Sequence, residues 1–144
     1  MHSKERGFTL IDTMLAVAIA AVLSSIALPS FEAPLRKARR TDALVAAAEI
    51  QGAQERLRSR GTRYGSLGEI GVAPSSRSGH YALQVTAFDA DSYAALAVAT
   101  GAQARDTECR YMSVRAVNAN LIFASGANDS VANATTTNRR CWSL

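Results

Sequence analysis

With 144 residues and 15.3 kDa, the chain has room for one ordinary domain. Hydrophobic residues at 48% and charged residues at 19% suit a globular protein. The net charge of +4, with dispersed arginines, makes a solvated surface the default over a dedicated basic patch. Two cysteines, with no histidine pair and no CxxC spacing, give no metal site and imply no cofactor.

The average composition hides an asymmetry that begins at the N-terminus. Residues 1–7 are short, polar and net positive. From Phe8 to Leu28 the chain is apolar, with Asp12 its sole charge. A helix of that length reaches across the ~30 Å hydrocarbon core of a bilayer. A secretory signal peptide is the alternative, with Ala27-Leu28-Pro29-Ser30 as its cleavage site. The run is long for that, and a carboxylate at membrane depth costs about 2.5–3.5 kcal/mol, so it calls for a partner and a task. Lys4 and Arg6 flank one side of the run, while Arg36, Lys37, Arg39 and Arg40 flank the other. Counting Lys and Arg alone puts the C-terminal side in the cytoplasm.

Leu35 to Arg60 is rich in Ala, Leu, Arg, Glu and Gln, and predicts a helix that continues the apolar one. Ala46, Ile50, Ala53 and Leu57 form its apolar stripe, placed to cover a sheet, and Gly61 stops it. Gly61 to Gly79 reads as a loop anchored by Tyr64 and Leu67. Strand patterns follow at 81–87, 93–99, 110–117 and 121–124, with a hairpin loop at Asp89-Ala90-Asp91 and a short turn containing asparagine before the last strand. Ser125 to Arg140 is Asn-, Thr-, Ser- and Ala-rich, with little to bury. Cys109 and Cys141 bracket it. They form a disulfide if this part lies outside the cytoplasm, and are two separate buried thiols otherwise.

Lys4-Glu5-Arg6-Gly7-Phe8-Thr9-Leu10-Ile11-Asp12, followed by the apolar run, resembles the class III leader of type IV pilins and of type II secretion pseudopilins. The resemblance implies that a prepilin peptidase cuts between Gly7 and Phe8 and that the new amine of Phe8 is methylated. Asp12 stands at the fifth mature position, where the family has glutamate. One helical turn from Phe8, it would neutralise the ammonium of a neighbouring subunit. Pro29 matches the family's helix-kinking proline, and Pro34 predicts a second break. The resemblance also makes Cys109 and Cys141 the bounds of a pilin-type C-terminal disulfide loop, worth about 3–4 kcal/mol by chain entropy. A threonine and an acid before Cys109, with Trp142 after Cys141, look most like PilE-type minor pilins.

The resulting expectation is an α+β pilin fold, a long N-terminal helix on about four antiparallel strands. Residues 1–7 form the leader, 8–29 the transmembrane and filament-core helix, and 30–144 a periplasmic head. The implied function is that of a minor type IV pilin, for adhesion, twitching motility or DNA uptake. Its partners would be other pilins, the prepilin peptidase, the inner-membrane assembly platform and the inner membrane of a Gram-negative cell, before display at the surface. A type II secretion pseudopilin is the alternative; a disulfide in place of a calcium site favours the pilus. A further alternative binds DNA phosphates through Arg139 and Arg140, joined by Arg105, Arg110 and Arg115. No enzyme is expected. His80 alone lies beyond the leader, Asp89 and Asp91 read as a solvated loop pair, and no catalytic set or phosphate loop is present. Asn128-Asp129-Ser130 matches a glycosylation sequon that short chains also carry by chance.

Overall fold

The computed structural model describes residues 7–61 and 63–144, without the side chains of residues 26–30 and 87. The leader residues 1–6 and the side chain of Pro29 therefore lie outside the described residues. The chain forms two compact units, Met1–Leu35 and Arg36–Leu144.

In the first unit, α1 spans Leu10–Ser30. Its start follows from a reciprocal cap. The Thr9 Oγ1 accepts from the Asp12 amide at 3.3 Å, and Asp12 Oδ2 accepts from the Thr9 amide at 2.9 Å. This is a capping box with aspartate where glutamate is usual. Thr13, Ser24 and Ser25 turn their hydroxyls back onto carbonyls of their own helix. That hides the polar atoms of an otherwise apolar cylinder. The helical backbone is 21 residues long, about 31 Å at 1.5 Å per residue. Among the described residues, whose side chains run only to Ser25 here, no helix is long and apolar enough to cross a membrane.

A single residue, Phe31, separates α1 from α2, Glu32–Arg60. Pro34 does not break this helix. It falls in the first turn, where its missing N–H has no helical partner to lose.

In the second unit, strands β1 (Tyr81–Phe88), β2 (Ser92–Ala99), β3 (Tyr111–Val117) and β4 (Asn120–Gly126) form an antiparallel sheet in sequence order. All four expected strands are present, and the expected α+β pilin architecture is the one observed. The β3–β4 turn needs left-handed backbone at both central residues, Asn118 and Ala119. Tyr81, Leu83, Tyr93, Ala95, Ala97, Met112, Val114 and Ala116 point to one face and are buried. Ala43, Ala46 and Ile50 of α2 are buried in the same core, and Ala53 is buried further along the helix.

The loop after α2 is less irregular than its composition predicts. A short helix, α3 (Leu67–Ile70), begins at Ser66 with a capping box to Glu69. Tyr64 is fully buried, as expected of an anchor, and Leu67 packs partly buried against the core.

The C-terminal segment departs most from expectation. It ends in a helix, α4 (Thr135–Trp142). Beyond the burial of Cys141 and Trp142 at its end, its order comes from side-chain N–H donors. Asn133 Nδ2 donates to the Glu108 carbonyl at 2.6 Å, Asn138 Nδ2 to the Phe123 carbonyl at 2.8 Å, and Trp142 Nε1 to the Ala124 carbonyl at 2.9 Å. The Cys109–Cys141 disulfide is formed, with Cα atoms 5.5 Å apart. Gly126 is required here, since a Cβ would lie 2.8 Å from the Cα of Val131.

Candidate nucleic-acid interface

The sheet has two unlike ends. One carries both hairpins, at 88–92 and 117–120. At the other lie the starts of β1 and β3, the 3-10 turns Gly101–Arg105 and Thr107–Cys109, and the close of β4. The first half of α2 reaches this second end through Asp42. Its carboxylate accepts from Ser76 Oγ at 2.6 Å, from the Ser78 amide at 3.1 Å and from the His80 amide at 3.2 Å. Burial works against the charge on Asp42, but these three donors outweigh it and hold its pKa below the ordinary value. The clamp fixes the turn that carries Arg77.

Between helix and turn lies a groove of ≈ 430 Å³. Arg39, Arg77 and His80 stand around it, and Ala38 and Val45 contribute apolar surface. Neither the Arg39 nor the Arg77 side chain has a hydrogen bond or ion pair among the described residues.

On the other side of α2, Arg40 pairs with Asp106 through two parallel bonds, Nε to Oδ2 at 2.7 Å and Nη2 to Oδ1 at 2.8 Å. Both side chains are largely buried, 15% and 6% exposed. Hydrogen bonding to Asp106 pushes the Arg40 pKa further up. Gln103 Nε2 adds a donor to Asp106 at 3.1 Å and reaches the Arg36 carbonyl at 3.1 Å. Arg40 Nη1 also donates to the Arg140 carbonyl at 3.4 Å. One bidentate pair thus joins α2, the 3-10 turns and α4.

The disulfide completes this end. Arg110 follows Cys109 and Arg140 precedes Cys141, so the bridge draws two arginines together from distant parts of the chain. Arg140 is held by Glu108 at 3.6 Å, and Arg139 stands beside it in α4 without a partner among the described residues. The expected cluster is therefore largely assembled. Arg105, Arg110, Arg139 and Arg140 share one end, while Arg115 lies on β3 toward the hairpins and is not part of it. Sequence reading missed Arg39, Arg77 and His80. The run Arg36-Lys37-Ala38-Arg39-Arg40 was the available signal, but nothing in it shows that Asp42 brings Arg77 alongside.

This end holds nine Lys and Arg (36, 37, 39, 40, 77, 105, 110, 139 and 140) against Asp42, Asp106, Glu108 and Asp129. The first three acids are engaged by the donors just described. Arg40 is turned inward to Asp106 and Arg140 pairs with Glu108, and the charge that remains is positive, the electrostatic footprint of a surface for polyanions. Among the described residues, no group of three or more His, Cys, Asp or Glu is placed to hold a metal ion.

Comparison with known proteins bears on both units. Residues 29–113 match the family model described as type IV minor pilin ComP, DNA uptake sequence receptor. Residues 2–28 match the prokaryotic N-terminal methylation motif. The type IV major pilin protein PilA of Myxococcus xanthus is 34% identical over 91 residues, 62% of this chain and 41% of its own length. Prepilin peptidase-dependent protein D of Escherichia coli is 51% identical over 41 residues, 28% of each chain. The chain thus spans less than half the length of either curated relative.

Proposed function

The chain belongs to the type IV minor pilin family described as ComP, DNA uptake sequence receptor, and on that premise we propose that it is a filament subunit presenting its basic end to DNA. The observation that carries the DNA reading is the surplus of arginine at one end of the sheet, with Asp42 and Asp106 turned to internal partners. Phosphate contacts there supply affinity with little sequence information. The family is structural, and the chain acts by assembly rather than by turnover.

The assembly route begins with cleavage between Gly7 and Phe8 and methylation of Phe8 by a prepilin peptidase. Before assembly, α1 sits in the inner membrane and the sheet unit faces the periplasm. The apolar residues of α1 support this. Leu10 is 77% exposed and Ile11 75% exposed. An assembly platform then moves the chain into a filament, where Asp12 meets the Phe8 ammonium of a neighbouring copy. The cap with Thr9 engages Asp12 Oδ2. A carboxylate has about four acceptor sites, so the cap and the ammonium are compatible. The methylation motif serves both kinds of subunit, and the match to the type IV minor pilin family favours this route over a secretion pseudopilin.

Two measurements test the proposal. Mass spectrometry of filaments sheared from cells should find a peptide that begins at N-methylated Phe8. Its consistent start at Met1 would sink the processing route. Duplex DNA titrated into the detergent-solubilised full chain should bind with an affinity that falls as salt rises. Binding insensitive to salt, or none, would remove the DNA reading.

A further inference from the structure

We propose that, while the chain is still in the membrane, its basic end docks on anionic phospholipid headgroups, so that lipid occupies the surface later offered to DNA. This rests on the reading that α1 lies in the bilayer.

The first support is reach. Arg36 follows Ser30 by six residues, no more than about 20 Å of chain even if extended. The basic end is the end at which the chain enters the sheet unit, since the first half of α2 is clamped there. Juxtamembrane clusters of Lys and Arg bind anionic leaflets by simple electrostatics.

The second is the chemistry of the groove. Arg39, Arg77 and His80 ring a concavity to which Ala38 and Val45 bring apolar surface. A DNA backbone has little use for an apolar floor. A phosphodiester on a glycerol and acyl stem fits both parts, with arginine stems lying along the apolar portion and their heads on phosphate. Leu35 and Val45 are half exposed on the same stretch of helix.

The third is a charge distribution otherwise hard to place. Four Lys and Arg within five residues follow the apolar run, on the side that the proposed topology exports. That runs against the usual bias of these residues toward the cytoplasm. Arg40 is turned inward to Asp106, and anionic headgroups on the exported side would offset the exposed Lys37 and the partly exposed Arg39, which withdrawal of the subunit into a filament would then uncover.

The test is limited trypsin digestion of the full chain inserted in vesicles, with the sheet unit outside. Phosphatidylcholine vesicles are compared with vesicles that also contain phosphatidylglycerol. Cleavage after Arg77 and Arg139 should slow at least about fivefold in the anionic vesicles, the effect of one surface cation, and recover in high salt. Cleavage after Arg63, at the hairpin end, should be equal in both. Arg39→Glu with Arg77→Glu should abolish the protection of Arg139 while leaving the denaturation midpoint unchanged. Equal cleavage after Arg77 in both vesicles overturns the proposal. Duplex DNA added to the neutral vesicles separates the two readings. Protection by DNA but not by phosphatidylglycerol leaves the DNA reading standing and the lipid one refuted, and the converse result does the opposite. Failure of the chain to float with neutral vesicles would remove the membrane premise and this proposal with it.

Discussion

At the hairpin end of the sheet, Arg56, Arg58, Arg60 and Arg63 stand in a region that also holds Glu55, Glu69, Asp89 and Asp91. Arg58 bonds the Tyr64 hydroxyl at 2.6 Å and lies 3.5 Å from Asp91, and Arg63 pairs with Glu69. Arg63 and two bonds from Ser66 hold Glu69 at a pKa of about 2. The opposite end has nine basic residues, and two of its acids, Asp42 and Asp106, brace the fold instead of balancing the surface. The same residue type thus serves two purposes, decided by where the neighbouring carboxylates point. An arginine count along the chain cannot see this difference.

The comparison can be broken first at its most buried pair. Asp106→Ala leaves the Arg40 charge uncompensated and should cost about 3–5 kcal/mol in chemical denaturation. Asp91→Ala, at the exposed pair with Arg58, should cost less than about 1 kcal/mol. Equal losses would mean that the two ends are held in the same way. Next in size is Cys109→Ser. Opening a loop with a sequence separation of 32 should lower stability by about 3–4 kcal/mol and release α4, with Arg139 and Arg140, from the basic end. Stability and salt-dependent DNA binding should fall together.

Asp42→Asn should cost about 1–3 kcal/mol by weakening the clamp on the turn at Arg77. Its pH signature is specific. A carboxylate with a lowered folded pKa stabilises fully above its ordinary value of 3.8, and that stability is lost as pH falls through the lowered value. The variant should therefore show a flatter acid limb in its denaturation midpoint against pH. The smallest effect on stability belongs to Arg77→Ala, within about 0.5 kcal/mol of the parent. It should nevertheless weaken DNA binding and reduce the salt slope by about one. Arg60→Ala, at the hairpin end, should leave both unchanged.

Much of the fold was legible because its signals are local. The apolar run, the stripe Ala46, Ile50 and Ala53, and the alternation in the four strands each act within a few residues. The C-terminal helix was not legible. Its segment has little apolar content, and its order depends on Asn133 and Asn138 bonding carbonyls at Glu108 and Phe123, 25 and 15 residues away. The basic end was half legible for a related reason. Arg139 and Arg140 are conspicuous beside a cysteine, whereas Arg77 is brought beside α2 through a contact from Asp42, 34 to 38 residues from the atoms it holds.

Asp42 has a counterpart further along α2. Gln54 donates to the Gly65 carbonyl at 2.7 Å and accepts from the Gly65 amide at 2.9 Å. The helix therefore grips the loop at both margins, and four of the five bonds go to main-chain atoms. Main-chain atoms are the same whatever side chain is attached. Residues in the turn, Arg77 among them, can be exchanged without altering the frame that displays them. Such a mounting separates what the surface recognises from what keeps it in shape, and lets a lineage of filaments change ligand by altering a few side chains while keeping the subunit it assembles.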